Sequence, residues 1–83
     1  MYNYTTTGVC SKNISFDIDN GKVIIVAFLG GCAGNLQGIS NLIEGMEINE
    51  AIKRLKGIPC GSKSTSCPDQ LSLALEEIKL KNA

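Results

Sequence analysis

No histidine occurs anywhere in the 83 residues. That absence removes Cys–His nucleophilic catalysis, Ser–His–Asp triads and every mixed Cys/His zinc site. Net charge is missing as well, since eight Lys and Arg balance eight Asp and Glu. With no block of like charge along the chain, neither nucleic acid nor an anionic membrane surface is an expected partner. The longest apolar run, Val23 to Leu29, is far below the roughly 20 residues of a membrane-spanning helix. The start Met-Tyr-Asn-Tyr-Thr has neither the charged stretch nor the apolar core of a secretory signal. A cytoplasmic protein is expected. Internal repeats, low-complexity tracts and linkers are also lacking, so residues 1–83 are expected to form a single domain. A chain this short buries only about 60% of its extended surface. Cross-links or an oligomer would add to so small a core.

What the chain does carry is four cysteines, Cys10, Cys32, Cys60 and Cys67. Cytoplasmic thiols are kept reduced, so metal ligation or redox chemistry is expected ahead of structural disulfides. Spacings of 22, 28 and 7 contain no C-x-x-C and match no zinc-finger or ferredoxin pattern. Four thiolates nevertheless suit tetrahedral zinc, and a Cys₄ set also suits an iron–sulfur cluster. Pro59, Gly61 and the Ser/Thr run between Cys60 and Cys67 cannot continue a helix or a central strand, which makes that stretch a loop. Pro68 fits the first turn of a helix, and Ser66-x-x-Asp69 matches a capping box. Leu71, Ala74, Leu75 and Ile78 then follow a helical apolar stripe, and Cys67 lies one step back on it. Cys67 is therefore expected to point inward at a helix N-terminus, where the partial positive charge favours thiolate. The alternative is a buried cysteine serving only as a small apolar residue.

Upstream of that loop the signals are those of a small sheet. Tyr2 to Val9 is either a strand or a lead-in. Ile14, Phe16 and Ile18 alternate with Ser15, Asp17 and Asp19, the period of a half-buried strand whose acids face solvent. Asn20-Gly21 is a strong hairpin turn signal, and Lys22 to Leu29 is the return strand. An uninterrupted two-residue hairpin pairs Ile18 with Val23, Phe16 with Ile25, Ile14 with Ala27 and Cys10 with Gly31, which would bring Cys10 beside Cys32. Ile24, Val26 and Phe28 would then form a second apolar face, to be covered by a further element or by the other subunit of a homodimer. Gly30 to Asn35 turns the chain out of the sheet. Leu36, Ile39 and Ile43 mark one helix ending at Gly45. Ile48, Ala51, Ile52 and Leu55 mark a second, with Asn49 as a cap and Gly57 as its stop. The expected architecture is α+β: an antiparallel hairpin or three-stranded sheet followed by three helices on one face.

Thr65-Ser66-Cys67-Pro68-Asp69 resembles the signature of the TSCPD domain family, and Gly30-Gly31-Cys32-Ala33-Gly34-Asn35 is similar to that family's other shared run. The resemblance covers nearly the whole chain. It implies kinship with small stand-alone proteins and with a domain at the C-terminal end of cobalamin-dependent ribonucleotide reductases, whose cysteines are suspected of binding metal. The order of elements also resembles that of iron–sulfur cluster assembly scaffolds, whose three cysteines would fall near Cys10, Cys32 and Cys67. Against that likeness, Ser11-Lys12 stands where the scaffolds have Gly-Asp, Ser66 stands where many have His, and their chaperone-binding segment is absent.

The Gly30–Asn35 run lacks the G-x-G-x-x-G pattern and a P-loop lysine, so it reads as a tight strand-to-helix turn and not as a nucleotide site. Asp69 is either a helix cap or an oxygen ligand. The leading expectation is a metal-binding domain, zinc or iron–sulfur, with Cys10, Cys32, Cys60 and Cys67 as ligands and a structural or accessory role. It would not be an enzyme on its own. The family resemblance implies a second function, an accessory or redox module of ribonucleotide reduction, partnered by the reductase or another redox protein. An apo protein-interaction module is the third.

Overall fold

Asn20 and Gly21 both take positive φ, 53° and 77°, the backbone of a type I′ turn. Around this turn the computed structural model, which describes residues 2–6, 8–9, 11–31 and 33–81, builds the expected α+β architecture. Strands β1 (Tyr2–Thr5), β2 (Ser11–Asp19) and β3 (Lys22–Gly30) form one antiparallel sheet in the order β1-β2-β3. Helices α1 (Ala33–Ile43), α2 (Ile48–Leu55) and α3 (Cys67–Lys81) follow. Tyr2 pairs with Phe16, their ring centroids 5.6 Å apart, and Tyr4 pairs with Ile14, so the N-terminal stretch is a strand with both tyrosines against the core.

The hairpin is not uninterrupted. Ile18 does pair with Val23, but Asp17 pairs with Ile25, which leaves Ile24 as an extra residue on β3. From there Phe16 opposes Val26 and Ile14 opposes Phe28, not Ile25 and Ala27. A one-residue slip exchanges the faces of a strand. Val26 is accordingly only 5% exposed while Ile25 is 42% exposed, and Ala27 faces outward with it. The second apolar face expected from Ile24, Val26 and Phe28 therefore does not exist as a surface. Val26 belongs to this chain's own core and the half-buried Phe28 packs against it.

A second bulge runs the other way. Ser11 pairs with Gly30 and Asn13 with Leu29, so Lys12 is the extra residue, now on β2. The two slips cancel, and the register at Ser11 returns to that of the simple hairpin. Its pairing of Cys10 with Gly31 lies outside the described residues.

The core lies between the inner face of the sheet and the helices. Ile14, Phe16, Val23 and Val26 meet Ile43 of α1, Ala51 and Leu55 of α2, and Leu71, Ala74 and Leu75 of α3. These helical positions recur at spacings of three and four, as an apolar stripe requires. Gly45, at φ 91°, ends the chain's course after α1. Glu47, not Asn49, is the residue before α2; it makes no side-chain cap, and Asn49 sits inside the first turn.

Between α1 and α2 the chain runs along the turn end of β3. Val23 N–H donates to Met46 O at 2.8 Å, and Ile48 N–H donates to Gly21 O at 3.0 Å. Further along, the Glu44 carboxylate accepts Val26 N–H at 3.1 Å. An edge strand whose polar groups are satisfied in this way is a poor template for another chain.

The corrected register makes a simple stability test. Val26→Ala should cost about 1.5 to 3 kcal/mol, the worth of burying such a side chain, whereas Ile25→Ala should stay within about 0.5 kcal/mol. Urea denaturation of both variants checks this, and the reverse order would restore the uninterrupted hairpin.

Candidate functional site

The Thr65-Ser66-Cys67-Pro68-Asp69 stretch is first a piece of helix-starting chemistry. Ser66 is the residue before α3. Its Oγ accepts Asp69 N–H at 3.2 Å, and its carbonyl accepts Gln70 N–H at 2.8 Å. Pro68 follows in the first turn, where the missing N–H costs nothing. A full capping box would return the Asp69 carboxylate to the Ser66 N–H, but that carboxylate goes elsewhere. Oδ1 accepts Gly57 N–H at 2.7 Å, and Oδ2 accepts the Thr65 hydroxyl. Thr65 Oγ1 in turn accepts Gln70 Nε2 at 3.1 Å, and Ser72 Oγ donates to Asp69 O at 2.6 Å.

Asp69 is 9% exposed and Gln70 and Ser72 are buried, yet among the described residues no buried side-chain polar atom lacks a partner. One carboxylate thus ties both ends of the 57–65 loop to the first turn of α3, where the helix dipole also favours its charge.

Cys67 opens α3 and is half-buried. The Ser11 hydroxyl donates to its sulfur, with Oγ 3.1 Å from Sγ. Ser11 itself is fixed from two sides, by pairing with Gly30 and by the Thr6 hydroxyl, which donates to its carbonyl. Gly31 lies close to the same place. It holds φ +81°, and a Cβ added there would stand 2.8 Å from Leu36 Cδ1 and 3.2 Å from Ser11 N. Gly8 also lies over this end of the helix, since a Cβ on it would meet Thr65 Cγ2 at 3.7 Å. Gly8 and Ser11, residues 30–31 and residues 65–67 therefore converge on the N-terminal end of α3.

Gly31→Ala should cost at least about 1 to 2 kcal/mol from the left-handed backbone alone, with the crowding against Ser11 adding to it. Chemical denaturation reads this directly. A neutral result would mean that Gly31 does not hold a left-handed backbone.

Of the four expected ligands, Cys67 is at this junction. Cys60 is exposed on a turn closed by Lys63 N–H donating to Cys60 O at 3.0 Å, within the loop that Asp69 fastens. Cys10 and Cys32 lie outside the described residues, but their chain neighbours Ser11 and Gly31 are both at the junction. Among the described residues no three His, Cys, Asp or Glu side chains come together as a metal site. The Asp69 carboxylate acts as a clamp on Gly57 and Thr65, and the capping side chain is that of Ser66.

Beside the junction, an open groove of about 450 Å³ runs between β3 and α1 from Gly30 and Gly31 to Glu44. No helix among the described residues is long and apolar enough to cross a membrane.

Sequence reasoning did not find Ser11, Thr65 or Gln70. Ser11 was hidden because alternation along β2 assigns it to the outer face. Thr65 and Gln70 are hidden because Asp69, the carboxylate their network leads to, reads as a helix cap.

A family model described as TSCPD domain matches residues 2–79. No curated protein and no solved structure matches the chain.

Proposed function

The chain belongs to the TSCPD domain family, and on that premise we propose that it is a small thiolate metal-binding domain with a structural or accessory role. In this reading Cys67 shares one metal site with Cys10 and Cys32, and Cys60 completes the shell from the adjoining loop. Zinc is the proposed metal, because a closed tetrahedral set of thiolates suits it; an iron–sulfur cluster is the alternative for the same donors. Bound there, the metal supplies a cross-link between β2, the turn before α1, and α3. A closed shell leaves no position for substrate, which is why the proposed role is structural or accessory and not catalytic.

The observation that carries the reading is the Ser11 Oγ to Cys67 Sγ contact of 3.1 Å, together with the packing of Gly31 against Ser11. Ser11 and Gly31, which follow Cys10 and precede Cys32 in the sequence, lie close together at the Cys67 end of α3. The donor set also fits the metal, since all the proposed ligands are sulfur and the chain has no histidine.

Metal and acid-labile sulfide content of the full chain, purified without an affinity tag, tests the proposal. Zinc without sulfide is the expected result, with melting lowered by a chelator because ligation contributes folding energy. Iron with sulfide would select the alternative. Metal-free protein whose melting is unchanged by chelator would overturn both.

A further inference from the structure

We infer that Ser11 is a positioning residue for Cys67: its hydroxyl orients the sulfur and helps set how tightly that sulfur holds a metal. The inference rests on the reading of Cys67 as a ligand. Ser11 is only 3% exposed, and its hydroxyl donates not to a nearby backbone carbonyl but to a sulfur 56 residues away.

Its direction is a product of the Lys12 bulge. Along β2, Asn13 and Ser15 oppose the outward residues Leu29 and Ala27, and strict alternation would send Ser11 outward with them. The extra residue at Lys12 reverses that parity: Lys12 is exposed and Ser11 is turned in. Bulges commonly re-aim a side chain beside a functional site. This one is braced by Thr6, whose hydroxyl donates to Ser11 O and whose N–H donates to Lys12 O at 3.3 Å.

A metal-bound thiolate has no proton to donate and accepts hydrogen bonds only. The Ser11 O–H supplies one from the β2 side, on a donor whose own backbone cannot swing away. Such a bond restricts the Cys67 side chain to one direction. It also draws off part of the sulfur's negative charge, which eases the mutual repulsion of several thiolates around one ion.

Cobalt(II) titration of the full chain tests this, with the sulfur-to-cobalt charge-transfer band as a second readout. Ser11→Ala should bind cobalt about 10- to 100-fold more weakly, the usual effect of losing an outer hydrogen bond to a ligand. Its band should move to lower energy, because the sulfur lone pair is no longer stabilised. Ser11→Thr, which keeps the hydroxyl, should retain affinity and band, while Ser11→Val, its isostere without one, should behave as the alanine variant.

A purely structural Ser11 would lower the melting of metal-free and cobalt-loaded protein alike and leave affinity and band unchanged. That result overturns this inference and leaves the metal site standing. Equal weakening in the Thr and Val variants would assign the effect to bulk and likewise overturn it. A wild-type chain that binds no cobalt overturns the reading of Cys67 as a ligand, and the inference with it.

Discussion

Asp69→Ala is expected to cost about 3 to 6 kcal/mol, since it removes two hydrogen bonds to a charged acceptor, each worth about 1.5 to 3 kcal/mol. A domain of this length has a total stability of about 4 to 12 kcal/mol, so the variant should sit near the edge of folding at ambient temperature. The loss comes from three places at once. Gly57 N–H, at 2.7 Å in the wild type, is left without its acceptor; the Thr65 hydroxyl loses its own; and the N-terminal turn of α3 loses the negative charge its dipole favours. Asp69→Asn should recover part of the loss, because the amide oxygen can still accept from Gly57. Thr65→Val should cost less than Asp69→Ala, since only the Thr65 side of the network goes.

Urea denaturation ranks the three variants. Limited proteolysis adds a local readout, because releasing Gly57 and Thr65 should open the loop between them to cleavage. An Asp69→Ala variant within about 1 kcal/mol of wild type would show that the carboxylate does not hold the loop.

The second large effect concerns the thiols. Cys67→Ser and Cys32→Ser should each abolish tight metal binding, because a hydroxyl is a poor substitute for thiolate on zinc. At free metal a thousandfold above its dissociation constant, the wild type gains about 4 kcal/mol of stability by mass action. Either serine variant should gain essentially none. Thermal melting with and without added zinc reads that difference within each protein, so packing changes caused by the substitution itself cancel. Cys60→Ser should weaken binding while leaving a site formed, since the three convergent stretches do not include residue 60. A Cys67→Ser chain stabilised by zinc as strongly as wild type would remove Cys67 from the site.

Much of the fold is legible because local signals agree with one another. The Asn20-Gly21 turn, the Leu71, Ala74, Leu75 and Ile78 stripe, the Ser66 cap and the glycines closing α1 and α2 all appear where local chemistry predicts them. The two bulges are not legible. Val23 to Val26 is a run of four β-branched apolar residues, and nothing in their chemistry says that Ile24 is the surplus one or that Val26 rather than Ile25 turns inward. Tertiary packing on β3 goes with that register: Val26 joins the core cluster and its N–H donates to Glu44.

At the site, Cys67 is legible as an inward residue at a helix start, because cap and stripe both point to it. Ser11 is not, since its orientation depends on the Lys12 bulge. Asp69 carries the right residue type for a cap, and what decides its fate is Gly57, twelve positions earlier on another element's end. Local patterning reads the start of a helix well and reads poorly what a distant backbone N–H will do with the same carboxylate.

The central claim is that Cys67 and the thiols beside Ser11 and Gly31 share one metal. X-ray absorption at the zinc edge of the zinc-loaded full chain tests it most directly. The account predicts a first shell dominated by sulfur at about 2.3 Å, reduced by a sulfur or lost altogether in Cys67→Ser. A first shell of oxygen or nitrogen at about 2.0 to 2.2 Å, unchanged by that substitution, would contradict it.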